Sequence, residues 1–161
     1  MHRPPPIPFQ VRETWTPACA AALFRRCFRS EPPEYRRHFV AIRPSDELVA
    51  GYIHFTEFER GVYLCGGLCI DTRLYRRLSP DERVAIAARG SLSRWLIDES
   101  IAALGPKRAV FAYTGNTRSR TDAFALRFVQ TENRFLLAQW HDEPAPLRSE
   151  LVLRVAAHGP F

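Results

Sequence analysis

The sequence predicts a mixed α/β domain, and three observations carry that expectation. Several short runs alternate apolar and polar residues, other runs repeat apolar residues at helical spacing, and turn residues punctuate the two kinds. Their order reads strand, helix, two or three antiparallel strands, long helix, strand, helix, two strands. At 161 residues, 46% hydrophobic and 25% charged, the chain fits one domain over residues 1–161 with a proline-rich lead-in over 1–8.

Ile7 to Glu13 reads as a first strand. Thr16-Pro17 supplies a cap and a first-turn proline, and Ala20, Leu23, Phe24, Cys27 and Phe28 then form a helical stripe opposite Arg25, Arg26 and Arg29. His38 to Arg43 and Leu48 to Phe58 read as strands joined through Pro44-Ser45-Asp46. Glu59-Arg60-Gly61 turns the chain into a second hairpin arm, Val62 to Asp71, with Gly66-Gly67 inside it. Glycine in a strand interior marks a bulge or a close approach by a ligand or another backbone. Ser79-Pro80-Asp81-Glu82 is a capping box that opens a helical pattern running to Leu104, with Gly90 as a break between a short helix and a longer one. Arg108 to Tyr113 is the next strand, Gly115-Asn116-Thr117 opens a helix, and Phe135 to Trp140 and Leu151 to Val155 complete the expected strands.

Composition narrows the classes of function. No apolar run approaches the roughly 18 residues that span a bilayer, and Met1 to Pro8 is too short in apolar stretch for a secretory signal. The net charge of +6 is carried by arginine, with Lys107 the one lysine, which most simply reflects a GC-rich coding genome. Arginine forks suit phosphates, so a groove for a phosphorylated ligand stays open, whereas their scatter along the chain argues against nucleic acid as partner. Cys19, Cys27, Cys65 and Cys69 form neither a CxxC pair nor zinc spacing, so reduced thiols in a bacterial cytoplasm, and no metal, are expected.

The order of elements is similar to the GCN5-related N-acetyltransferase (GNAT) fold from about Val11 onward. Leu64-Cys65-Gly66-Gly67-Leu68-Cys69-Ile70-Asp71 looks like its bulged fourth strand and Ala109 to Tyr113 like its fifth. The Asn116 helix resembles the one that closes over the cofactor, and Ala125 to Thr131 the passage into the sixth strand. The resemblance implies about seven strands, helices on both faces, and parallel fourth and fifth strands that splay apart. It also implies acyl-CoA, acetyl-CoA by default, as acyl donor and an amine as acceptor. The pantetheine arm would satisfy the unpaired strand edges, with backbone at Leu68, Cys69 and Ile70 at the thioester. Arg89, Gly90 and Ser91, or alternatively Arg76 to Ser79, would receive the pyrophosphate, and Asn116 and Ser119 would add contacts. The sequence departs from the family in three places: no intact phosphate-loop run, no tyrosine in Asp122-Ala123-Phe124-Ala125, and Arg127 where a glycine is usual.

Glu57 is the candidate general base and Tyr113 the candidate acid. Each has a plainer reading, as an exposed strand carboxylate beside a turn and as a packed aromatic. His54 alternates to the face opposite Glu57 and reads as a half-buried strand histidine. Cys69 lacks a neighbouring base in sequence, so a covalent acyl-enzyme is not expected. Asp71 would either hold the acceptor amine or cap a turn. The readings kept beside a direct N-acyltransferase are an enzyme drawing on an acyl carrier protein and a degenerate, non-catalytic binding or regulatory module; a homodimer is also left open.

Overall fold

A computed structural model describes residues 6–34 and 36–161; the first five residues of the expected lead-in over 1–8 lie outside them. Among the described residues seven strands form one sheet in the order β1-β2-β3-β4-β5-β7-β6: β1 Gln10–Thr14, β2 Arg37–Arg43, β3 Leu48–Glu59, β4 Val62–Ile70, β5 Ala109–Tyr113, β6 Val129–Gln130 and β7 Leu136–Trp140. Among the described residues five α-helices punctuate them: α1 Ala21–Phe28, α2 Pro80–Ala87, α3 Leu92–Ala103, α4 Thr117–Ala125 and α5 Arg148–His158. The β4–β5 pair is parallel, whereas β1–β2, β5–β7 and β6–β7 are antiparallel. The mixed sheet and its parallel central pair are as the sequence predicts. No helix among the described residues is long and apolar enough to cross a membrane.

The chain divides into two compact units, one running to His54 and resuming over Gly67–Ala103, the other made of Phe55–Gly66 and Leu104–Phe161. In the first, the apolar stripe of α1 (Leu23, Phe24) buries against Val40, Ile42, Tyr52 and Cys69. Arg26 and Asp71 tie that helix to the end of β4 at 3.0 Å. In the second, Val62 and Leu64 of β4 and Ala109 and Phe111 of β5 join Leu136, Ala138 and the α5 residues Leu151, Val152 and Val155.

Two expectations are corrected. Leu151 to Val155 is not a strand but the middle of α5. The run of Leu and Val is β-prone, yet burial falls at 151, 152 and 155 while Leu153 is 69% exposed, which is a helical stripe. Ala156, Ala157 and the Gly159 stop extend the helix that this stripe starts. The first strand begins at Gln10 rather than Ile7, and α1 starts at Ala21 with no side-chain cap, because a 3-10 turn over Ala18–Ala20 intervenes after Thr16-Pro17.

Candidate functional site

The distinctive feature of β4 is its interior. Its register with β5 runs from Val62↔Ala109 to Cys65↔Ala112. Among the described residues β4 has no β5 partner past Cys65, although the strand continues to Ile70. Gly67 sits just past that point at φ 62°, in the left-handed region that favours glycine. A Cβ there would stand 2.5 Å from the Nδ1 and Cε1 atoms of His54 and 2.9 Å from the Phe24 ring. Leu68 and Ile70 are half-buried on either side of buried Cys69. The Asp71 N–H then returns to the β3 ladder, donating to the Ala50 carbonyl at 2.8 Å. The Asp71 carboxylate accepts the Arg73 N–H at 3.0 Å besides pairing with Arg26, so it caps the turn after β4.

Within the same unit the sequence leaves two stretches for a phosphate. Arg76 and Arg77 close a 3-10 turn, Leu74–Arg77, ahead of the Ser79–Glu82 capping box, whose two reciprocal hydrogen bonds are both made. Arg89, Gly90 and Ser91 form the link that opens α3. Gly90 lies at φ 87°, and a Cβ on it would run into the Arg94 guanidinium, so the missing side chain lets Arg94 fold back over the start of the helix. Ser91 Oγ accepts the Arg94 N–H at 2.9 Å, the first-turn geometry of an N-cap. Arg94 escapes notice in the sequence because it stands within a regular helical pattern; the glycine four residues earlier is the one sign that something must pass over it.

A buried polar trio also escapes the sequence. His38 on β2 and Tyr52 on β3 have no exposure, and His54, two residues on along the same strand, keeps 7%. His38 Nδ1 lies 2.8 Å from the Tyr52 hydroxyl, which lies 3.4 Å from His54 Nδ1, while His38 Nε2 is 3.2 Å from the Glu34 carbonyl. Burial, reinforced by the Arg36 guanidinium and by the neighbouring His38, pulls His54 down to about 4, and burial also lowers His38. The Tyr52 hydroxyl is pushed up by burial. The legible signal is the i, i+2 spacing of Tyr52 and His54, which puts both on one face of a strand.

Of the nearby thiols, burial pushes Cys65 up to about 12 and raises Cys69 as well, so neither is a thiolate at neutral pH. All four cysteines are free.

Glu57, Tyr113, Asn116 and Ser119 belong to the other unit. Glu57 is exposed, and its Oε1 accepts the Gly61 N–H at 2.9 Å, closing the β3–β4 turn. Tyr113 is partly buried at the end of β5, its ring 6.1 Å from Phe135 and 6.0 Å from Phe161. Asn116 caps α4, its Oδ1 accepting the Arg118 and Ser119 N–H groups at 2.9 and 3.1 Å. At the far end of α4, Arg127 takes φ 65° and closes a Schellman motif: its N–H reaches the Phe124 carbonyl at 3.0 Å and the Phe128 N–H reaches the Ala123 carbonyl at 3.1 Å. The position therefore takes a conformation that favours glycine while carrying an arginine.

Leu68, Cys69, Ile70, Arg89, Gly90 and Ser91 thus fall in one unit, and the remaining four predicted residues in the other.

No family model and no curated protein matches the sequence. Solved structures do. The chain is similar to an acetyltransferase of the GNAT family from Streptococcus pneumoniae, at 15% identity and a TM-score of 0.54, over 83% of this chain and 99% of that one. It is similar to NAA60 of Arabidopsis thaliana in complex with a bisubstrate analogue, at 12% identity and a TM-score of 0.57, over 81% and 98%. It also resembles yncA of Salmonella typhimurium with its cofactor acetyl-CoA, at 15% identity and a TM-score of 0.52, over 86% and 96%. The chain has the GNAT fold, in a sequence widely diverged from these examples.

Proposed function

We propose that this protein is an acyl-CoA-dependent N-acyltransferase, moving an acyl group, acetyl by default, directly from the thioester to the amine of an acceptor. One observation carries the reading: β4 outruns its ladder with β5 at Cys65 and continues to Ile70 past a glycine held at φ 62°. A strand that leaves its partner without ending presents N–H and C=O groups that need another partner, and an amide chain such as pantetheine can supply one. The backbone N–H groups around Leu68 to Ile70 would polarise the thioester carbonyl where negative charge develops. The opening turn of α3, with Gly90 and Ser91 before it and Arg94 folded over it, offers backbone donors, a helix dipole and a guanidinium to a pyrophosphate. The fold shared with acetyltransferases supports the same class of chemistry.

The acyl donor supplies an activated carbonyl; the chain's own part is to orient it, exclude water and manage the proton that the amine loses. The test is release of free thiol from acetyl-CoA and longer acyl-CoAs in the presence of a panel of primary amines and amine-bearing peptides. Amine-dependent release is expected. Binding without release would identify a non-catalytic module, and release from an acyl carrier protein alone would move the donor from CoA to the carrier.

A further inference from the structure

The buried trio on β2 and β3 has a direction that follows from chemistry. A carbonyl can only accept, so His38 Nε2 carries a proton and donates to Glu34 at 3.2 Å. In the neutral ring His38 Nδ1 is then bare and accepts the Tyr52 hydroxyl proton at 2.8 Å. The Tyr52 oxygen, its own proton committed, accepts from His54 Nδ1 at 3.4 Å. His54 is therefore held with its proton on Nδ1 and a lone pair on Nε2, to which no described residue donates.

This end of the line is also its open end. His38 and Tyr52 are wholly buried, whereas His54 keeps 7% exposure. Its Nδ1–Cε1 edge lies against Gly67, the residue that leads into Leu68 and Ile70, and the absent side chain there is what makes room for the ring.

We propose that His54 is the proton shuttle of the transfer reaction, its bare Nε2 taking the proton of the attacking amine, and that Tyr52 and His38 are positioning residues that fix this tautomer. The proposal rests on the acyltransferase reading above. As the N–C bond forms and the C–S bond breaks, its electron pair leaves on sulfur, and the amine proton passes to Nε2. The imidazolium then returns that proton to the thiolate, so amine and thioester become amide and thiol with His54 neutral again. The groups that bear on the line are the Arg36 guanidinium, which acts on all three members, and the Cys69 and Cys19 thiols, which face Tyr52. The Phe24 ring covers Tyr52 edge-on at 5.4 Å and lies 6.5 Å from His54. In these surroundings the neutral ring persists across the pH range in which amines become nucleophilic, and its protonated form is acidic enough to protonate a departing thiolate.

Two measurements test it. Nitrogen-15 spectra of the histidine rings in the wild-type protein report the tautomer without any substrate: His54 is expected neutral at pH 7 with its proton on Nδ1, and Tyr52→Phe is expected to populate the Nε2-protonated form. A proton on Nε2 in the wild type, or an imidazolium at pH 7, overturns the proposal. In steady-state kinetics, His54→Ala and His54→Gln should lower kcat by about 100-fold or more with KM for acyl-CoA unchanged, as for loss of a general base. Tyr52→Phe should lower kcat several-fold with the same KM. Glu57→Gln, whose carboxamide can still accept the Gly61 N–H, serves as the comparison: loss of kcat there with His54→Ala fully active assigns the proton to Glu57 and overturns the shuttle alone. A wild-type protein that binds no acyl-CoA overturns the acyltransferase reading and the shuttle together, a result distinct from turnover indifferent to His54.

Discussion

Replacing Gly67 with alanine tests the geometry of the candidate site from the side of stability. The backbone at φ 62° costs an ordinary L-residue roughly 1–2 kcal/mol. The new Cβ would stand 2.5 Å from the His54 ring and 2.9 Å from Phe24, and neither can swing aside, since His54 is held through Tyr52 and Phe24 is buried in the α1 core. Overpacking of this kind adds about 1–3 kcal/mol. The lower chain entropy of unfolded alanine returns about 0.4–1 kcal/mol, so the net loss centres on about 3 kcal/mol. Gly105 is the internal control: it has φ 82°, with nothing within 4 Å of a Cβ, so Gly105→Ala carries strain without overpacking and should cost about 1 kcal/mol. For a chain of this size each kcal/mol moves Tm by about 2–4 °C, which predicts a fall of about 6–12 °C for Gly67→Ala and about 2–4 °C for Gly105→Ala. Thermal unfolding followed by circular dichroism, with guanidinium unfolding to check that m is unchanged, reads both. Equal losses at the two glycines would refute the argument that His54 is wedged against the β4 backbone.

The remaining predictions concern the two units separately. His54 falls from its ordinary 6.5 to about 4 on folding, so its contribution is fully present above pH 6.5 and is lost as pH falls through the folded value. Stability should drop by about 3 kcal/mol between pH 6.5 and 4 on this account, and denaturant titrations of His54→Gln should show a flatter profile over that window. Arg127→Gly puts glycine into a conformation that arginine occupies at φ 65°, and should raise stability by about 1 kcal/mol and Tm by about 2–4 °C; a loss would mean the arginine side chain holds the helix end by contacts that outweigh its backbone. Arg108 pairs at 2.6 Å with Glu143, whose side chain is fully buried, and at 3.1 Å with Glu59. Arg108→Met strands the Glu143 carboxylate and should cost about 3 kcal/mol, the low end for a broken buried pair because Arg108 is itself over a third exposed; Arg108→Met/Glu143→Gln should recover part of it in a double-mutant cycle.

Much of this fold is legible in the sequence because local signals agree with one another. The capping box at Ser79–Glu82, the break at Gly90 and the Asn116 cap each rest on interactions within a few residues, and each appears where the pattern places it. Gly67 likewise advertises an irregular strand. The α5 segment misleads because LVLRV satisfies strand propensity over five residues, whereas its helical burial only shows once the core of Val62, Phe111 and Leu136 is assembled around it. The irregular stretch of β4 around Gly67 is legible because it is made of backbone. The His38–Tyr52–His54 line is not, since it depends on two strands coming together. Glu57 illustrates the opposite difficulty: a carboxylate on a strand looks available in sequence, and the structure gives it a turn amide to hold.

Uptake of an acyl thioester by β4 past Gly67 and the opening turn of α3 is open to direct measurement by calorimetric titration of the protein with acetyl-CoA at fixed salt. Saturable binding in the micromolar range is expected, weakening when Arg94 is replaced by alanine and when Gly67 is replaced by alanine. Absence of heat with acetyl-CoA and with every longer acyl-CoA, in a protein shown to be folded, would contradict it.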